Sequence, residues 1–140
     1  MEASTTMKRD DLGKLTLRLT VGGLLLFHGI SKAIHGVGWM TDMLAQAGLP
    51  GFMRYGIYVG EVVAPILIVV GLLTRPAALV VAFDLLMAIA LVFRDKIFTV
   101  KEMGGGWTIE LEMFFVLGAI ALFCLGPGAF SLSRGKGRWD

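Results

Sequence analysis

The chain is poor in the residues that carry most soluble enzyme chemistry. Among its 140 residues are one cysteine, two histidines and four prolines, and only 17% of the sequence is charged. A lone Cys124 allows no intramolecular disulfide, dithiol redox pair, CxxC zinc site or iron–sulfur cluster within one chain. His28 and His35 stand seven residues apart on one segment, so they cannot clamp a single haem from both sides. No metal or haem is therefore expected from one chain. No Ser-His-Asp set, P-loop or dinucleotide fingerprint is present. The basic residues sit in flanks rather than along a stripe, which excludes a nucleic-acid partner. The shortage of charge is matched by an apolar excess: 56% of residues are hydrophobic and the mean hydropathy is +0.75. Soluble domains run near 45–50% apolar and about 25% charged. A soluble enzyme with a large substrate domain, a disordered chain and a disulfide scaffold are thereby excluded. What remains is material for about four membrane spans of roughly 20 residues each, with short connections.

The hydrophobic runs fall where that estimate requires. Residues 1–14 (MEASTTMKRDDLGK) are polar and read as an exposed N-terminal tail. The first span covers about 15–34. A signal peptide competes here because Lys8, Arg9 and Lys14 precede it, but the run is too long, and Arg18, His28 and Lys32 stand where a cleavage region is small and neutral. Residues 35–51 break the pattern with glycines and a proline. Within them Met40, Met43, Leu44 and Ala47 recur at helical spacing and predict a short interfacial helix. Further spans are expected at about 52–73, 77–93 and 107–125, the first two separated by the turn Thr74-Arg75-Pro76. The third connection, RDKIFTVKEMGGG, reads as a flexible charged loop, and Gly126-Pro127-Gly128 ends the membrane domain, residues 15–128. Residues 129–140 form a basic tail.

Lys8, Arg9 and Lys14, then Arg75, then Arg134, Lys136 and Arg138 place both termini on the cytoplasmic side. Arg94, Lys96 and Lys101 in the third loop dissent. The fold class is all-α: an integral membrane four-helix bundle, N-in/C-in, multi-pass in the cell (inner) membrane, with a short interfacial helix in the first loop.

The functional information lies in the residues that do not belong in lipid: Arg18, His28, Lys32, Glu61, Asp84, Glu110 and Glu112. Each costs about 2.5–3.5 kcal/mol at a helix centre and is expected to face the interior and pair. Arg18, Gly22, Leu25, Gly29 and Lys32 step by 4, 3, 4 and 3, a single seam on which the glycines admit a neighbouring helix. Gly56 and Gly60 form a GxxxG with the same meaning on the second helix. Depth places His28, Lys32, Glu61 and one of Glu110 or Glu112 in the outer half of the bundle. The two glutamates are about 200° apart on a helix and cannot share a partner. Arg18 near the inner face and the deeper Asp84 are candidates for a second pair. Each charge also has a purely structural alternative: Arg18 and Lys32 can snorkel to headgroups, Glu61 and Asp84 can be hydrogen-bonded core groups, and His28 can be a satisfied core histidine. His35, Trp39, Tyr58 and Trp107 read as solvated or belt residues at span ends.

Three stretches carry a resemblance. LRLTVGGLLLFHGISKAI, GLPGFMRYGIYVGEVVAPILIVVGLLTRPAALV, and GGGWTIELEMFF followed by GPGAFSLS resemble the DoxX family of small four-helix membrane proteins, over about residues 15–133. The family pattern matches at Arg18, at His28-Gly29 with Lys32, at Glu61, and at the Gly71–Arg75 turn. Its glutamate after the third-loop glycines falls on Glu110 or Glu112. Asp84 and Ser133 depart from the pattern, at a usually uncharged and a commonly acidic position respectively. The resemblance implies membrane redox work, since the family is named for a subunit linked to quinol oxidase and thiosulfate:quinone oxidoreductase activity. Related members are associated with thiol and oxidative-stress defence.

A quinone site needs an apolar slot, a hydrogen-bond donor for a carbonyl oxygen and a protonatable group. His28 and Glu61 are the candidate catalytic residues. His28, Lys32, Glu61 and Glu110 are the candidate ligand-binding residues, and Arg18, Asp84 and Glu112 are assigned to structural pairing. With a quinone or quinol as ligand, electrons must come from a membrane or peripheral redox protein, so an oxidoreductase subunit is expected rather than a self-sufficient enzyme. The bilayer is the other partner, and a homo-oligomer is open. The alternatives are a membrane anchor, assembly factor or scaffold, and a small proton-coupled carrier using Glu61.

Overall fold

A computed structural model describes residues 2–137, 139 and 140. Arg138, one of the basic residues of the C-terminal tail, lies outside them. Helix α1 spans residues 2–35, α2 is Met40–Gln46, α3 is Gly51–Val70, α4 is Thr74–Val92 and α5 is Glu110–Leu125. Among the described residues the fold is all-helical, with one isolated antiparallel bridge, Val100 to Trp107. Among the described residues three helices are long and apolar enough to cross a membrane: Lys8–His35 within α1, Gly51–Val70 and Thr74–Val92. The fourth hydrophobic run forms α5, 16 residues packed along α4.

The core lies between the helices and is built of small and branched residues, among them Val21, Leu25, Ile68, Ala78, Val81, Ala119 and Leu122. Alanines on both α4 and α5 let these two pack closely along their length. The outer faces are apolar as well: Phe27 and Ile34 of α1, Val63 and Ile66 of α3, Leu79 and Phe83 of α4, and Phe114 and Leu117 of α5 are all exposed. Apolar surface on every side has one stable solvent, the hydrocarbon of a bilayer. The chain is a membrane protein.

Three local results refine the expected outline. The N-terminal segment continues α1 instead of trailing free, and the Asp11 carboxylate accepts a 2.9 Å bond from the Ala129 amide. The third connection is an ordered hairpin: Lys101 donates to the Gly106 carbonyl at 2.8 Å, Thr108 donates to the Thr99 carbonyl at 3.0 Å, and the Trp107 indole donates to the Ile97 carbonyl. Helix α3 ends at Gly71 in the left-handed conformation, φ 71°. Its Schellman turn, with Gly71 and Leu72 both donating to the Leu67 carbonyl and Gly71 also reaching Ile68 at 3.1 Å, leaves the Val69 and Val70 carbonyls and a second lone pair on Ile68 for other donors.

Candidate functional site at the outer end of the helix seam

The five-residue seam of α1 faces α3. A Cβ on Gly22 would lie 2.9 Å from the Pro65 carbonyl oxygen, and one on Gly29 would collide with the backbone of Glu61. The second approach has a cause in α3 itself. Pro65 has no N–H, so the Glu61 carbonyl lacks its normal partner four residues on. The backbone responds with a wider π-type turn over Val59–Val63, and the bare Gly29 packs against the freed carbonyl. A matching π-type turn occupies Leu19–Gly23 of α1. Each wide turn adjoins or contains one of the ionisable residues singled out above, Arg18 and Glu61.

At the end of the seam away from Arg18, the outer end in the orientation expected from the sequence, the Lys32 ammonium meets Glu61 Oε1 at 2.5 Å. Glu61 is 3% exposed, and its second oxygen, Oε2, is buried with no partner. Two further carboxylates approach. Asp84 of α4 lies directly over Gly60, where a Cβ would strike its carboxyl group, and Asp84 Oδ2 is buried without a partner. Glu112 of α5 likewise keeps Oε2 buried and unpaired. Three acids with free oxygens thus lie near one ammonium, and of these Glu61 alone pairs with it.

Two cavities meet at Lys32. The larger, about 360 Å³, lies between α2, α3 and α4; its walls are apolar except for Lys32 and Asp84. The smaller, about 190 Å³, lies between α1, α4 and α5 and is lined by His28, Lys32, Glu61 and Glu112 among apolar neighbours. Volumes of a few hundred Å³, mostly apolar with a few convergent polar groups, are those of small-molecule sites. The lysine can donate three hydrogen bonds and uses one on Glu61; the free carboxylate oxygens can accept or exchange protons. Among the described residues no three His, Cys, Asp or Glu side chains converge as a metal cluster.

The structure brings together Lys32, Glu61, Asp84 and Glu112 and places His28 at the edge. His28 is exposed on the outer flank of α1, hydrogen-bonded to the Leu24 carbonyl at 3.2 Å and edge-on to Phe115 at 6.1 Å. Two assignments are corrected. Glu110 begins α5, points to the hairpin and pairs with Lys101 at 3.3 Å with both side chains about half exposed, so Glu112 and not Glu110 turns inward. Arg18 and Asp84 do not pair. Arg18, 1% exposed, donates Nε to the Ile68 carbonyl (2.8 Å), Nη2 to Val69 (2.6 Å), and Nη1 to Pro127 (3.0 Å) and Phe130 (2.7 Å). These are the spare carbonyls of the α3 terminus and the segment that follows α5. Leu132 supplies the remaining donor, to Val70 at 3.0 Å.

Sequence reasoning missed three contributors. Trp39 lines both cavities although it reads as a belt residue. Met40 and Leu44 of the interfacial helix roof the larger cavity. Gly60 makes room for Asp84, whereas its GxxxG partner Gly56 has nothing near it. Glu112 carried a readable signal: it shares the buried stripe of Phe115, Ala119 and Leu122 at steps of 3, 4 and 3.

A family model described as DoxX matches residues 13–94. The Bacillus subtilis protein named "Putative oxidoreductase CatD" is 34% identical over 82 residues, 59% of this chain and 60% of that relative's length. The Mycobacterium tuberculosis protein named "Uncharacterized membrane protein Rv3486" is 30% identical over 131 residues, 86% of this chain and 78% of the relative. The chain thus spans less than two thirds of the first relative. No solved structure matches it.

Proposed function

The chain belongs to the DoxX family, and on that premise we propose that it is a quinone-interacting subunit of a membrane redox system, working with a partner protein that exchanges the electrons. The observation that carries the reading is the Lys32–Glu61 pair set between two cavities, with unpartnered buried oxygens on Glu61, Asp84 and Glu112. Such oxygens are costly to bury without a purpose, and they fit a ligand that brings hydroxyl groups and protons. When bound, a quinone supplies a two-electron, two-proton couple. Lys32 holds an oxygen of the ring through its free N–H donors. Glu61 keeps that ammonium oriented and exchanges protons through Oε2, and Glu112 and His28 extend the polar lining into the smaller cavity beside it. The apolar wall of α3 and α4 receives the ring and excludes water. The oxidoreductase name of the Bacillus relative supports a redox setting.

The same reading takes α5 as a fourth crossing and puts both termini on the cytoplasmic side of an inner membrane. Lys14, Arg75 and Arg134 mark one end of the molecule, and the hairpin extends from the other. A scaffold reading has one observation in its favour: the hairpin holds out Phe98, 97% exposed, and Met103, 91% exposed.

Protein extracted from native membranes is expected to retain a quinone detectable by mass spectrometry, and Glu61→Gln to lose it with an unchanged helical spectrum. A folded protein free of quinone, with quinol turnover in native membranes unaffected by the substitution, would replace this reading by the scaffold.

A further inference from the structure

Asp84 is not needed by anything else in the fold. It makes no hydrogen bond, its Oδ2 is buried and unpartnered, and its carboxyl lies in a hollow that exists because residue 60 is glycine. Within the cluster it alone among the acids faces the larger cavity, which is lined by Asp84 and Lys32 and by neither Glu61 nor Glu112. That cavity therefore offers a ligand one cationic donor and one carboxylate acceptor, with Trp39, Met87 and Phe83 among its apolar walls.

We infer that Asp84 makes the larger cavity selective for the reduced, hydroxyl-bearing form of a ring ligand. The inference rests on the quinone reading above and specifies which redox form the site prefers. Lys32 donates to a ring oxygen in either form, because both a carbonyl and a hydroxyl oxygen accept. In its ionised form the Asp84 carboxylate only accepts, and only the quinol has an O–H to give it. A hydrogen bond to a charged group is worth about 1.5–3 kcal/mol, so the quinol binds at least about tenfold more tightly than the quinone. Asp84 is a specificity residue here; no electron or proton has to leave the ligand for it to act.

The test uses the full chain in detergent and calorimetric titration at about pH 8.5, where the carboxylate form is in play, with a short-tailed benzoquinone and, under anaerobic conditions, its quinol. The wild type is expected to bind both, the quinol at least about tenfold more tightly. Asp84→Asn, which can donate as well as accept, and Asp84→Leu, which can do neither, are expected to bring the affinity ratio to near one while quinone affinity stays within about threefold. Because Asp84 has no partner to orphan, both variants are expected to fold, and melting curves check this. Binding of both forms with the same ratio in all three proteins overturns the inference and leaves the quinone reading standing. Binding of neither form by the wild type overturns both.

Discussion

Helix α1 carries two inward cations fourteen residues apart on one seam, Arg18 and Lys32, and their surroundings are opposite in kind. At the inner end four of the five guanidinium N–H groups are used: four backbone carbonyls accept its bonds, and Gly71 is so close that a Cβ there would lie 2.7 Å from Cζ. No carboxylate is involved, because the negative ends of peptide dipoles at the α3 terminus do that work. At the outer end Lys32 has one partner, two cavities and three carboxylates with spare oxygens. A buried cation whose donors are nearly all taken by backbone carbonyls fixes a fold. One with valences left over is where a ligand completes the set.

The comparison breaks most readily at Arg18. Arg18→Leu leaves three carbonyls without donors, Ile68 keeping the Gly71 amide, and frees the chain after α5, and a loss of about 3–5 kcal/mol is expected in thermal unfolding in detergent. Tryptic release of the C-terminal segment should accompany it. Arg18→Lys keeps the charge but cannot span the same fork, so it should recover less than half of the loss. Lys32→Met comes next. It strands the buried Glu61 carboxylate, but with Lys32 itself 28% exposed the cost is smaller, about 2–3 kcal/mol. Adding Glu61→Leu should return most of that stability while abolishing ligand retention. If the double variant stays as unstable as the single one, the outer pair is a lock like Arg18 and the contrast fails.

A smaller effect sharpens the geometry between the two ends. Gly29→Ala forces a Cβ into the Glu61 backbone and should cost about 1–2 kcal/mol by overpacking, with the Lys32–Glu61 pair spread apart. Gly23→Ala, six residues earlier with open space around it, should be neutral or stabilise by about 0.5–1 kcal/mol through helix propensity. Equal effects at the two glycines, measured by unfolding, would mean that the seam does not set the distance between α1 and α3.

The seam itself was legible because 4-3-4-3 spacing is a property of side chains on one helix, and Lys32 with Glu61 followed from depth. Arg18's true partners were not legible: backbone carbonyls leave no mark in a sequence, and two lie in an irregular segment beyond α5. The expected Arg18–Asp84 pair failed for a related reason. Depth counted along ideal helices says nothing of which face a residue takes, and Gly60 beneath Asp84 draws its carboxyl to the outer cluster. The two π-type turns, which shift register by a fraction of a turn, follow from Pro65 only in α3; that in α1 has no counterpart in the sequence.

The smallest expected effect tests the two glutamates of α5. Glu110 heads the helix and reaches back to Lys101 of the ordered hairpin, an exposed pair of the sort that contributes at most about 1 kcal/mol. Glu110→Gln should therefore shift unfolding by no more than about 0.5 kcal/mol and leave quinone retention alone. Glu112→Gln is expected to be as mild in stability, since its inner oxygen has no partner to lose, yet to lower retention because that oxygen faces the cavity shared with Lys32 and Glu61. The pair thus separates structure from site within three residues of one helix. Loss of retention in the Glu110 variant and not in the Glu112 variant would mean that the hairpin side of α5, and not its buried stripe, meets the ligand. The outer end would then owe its open valences to something other than binding.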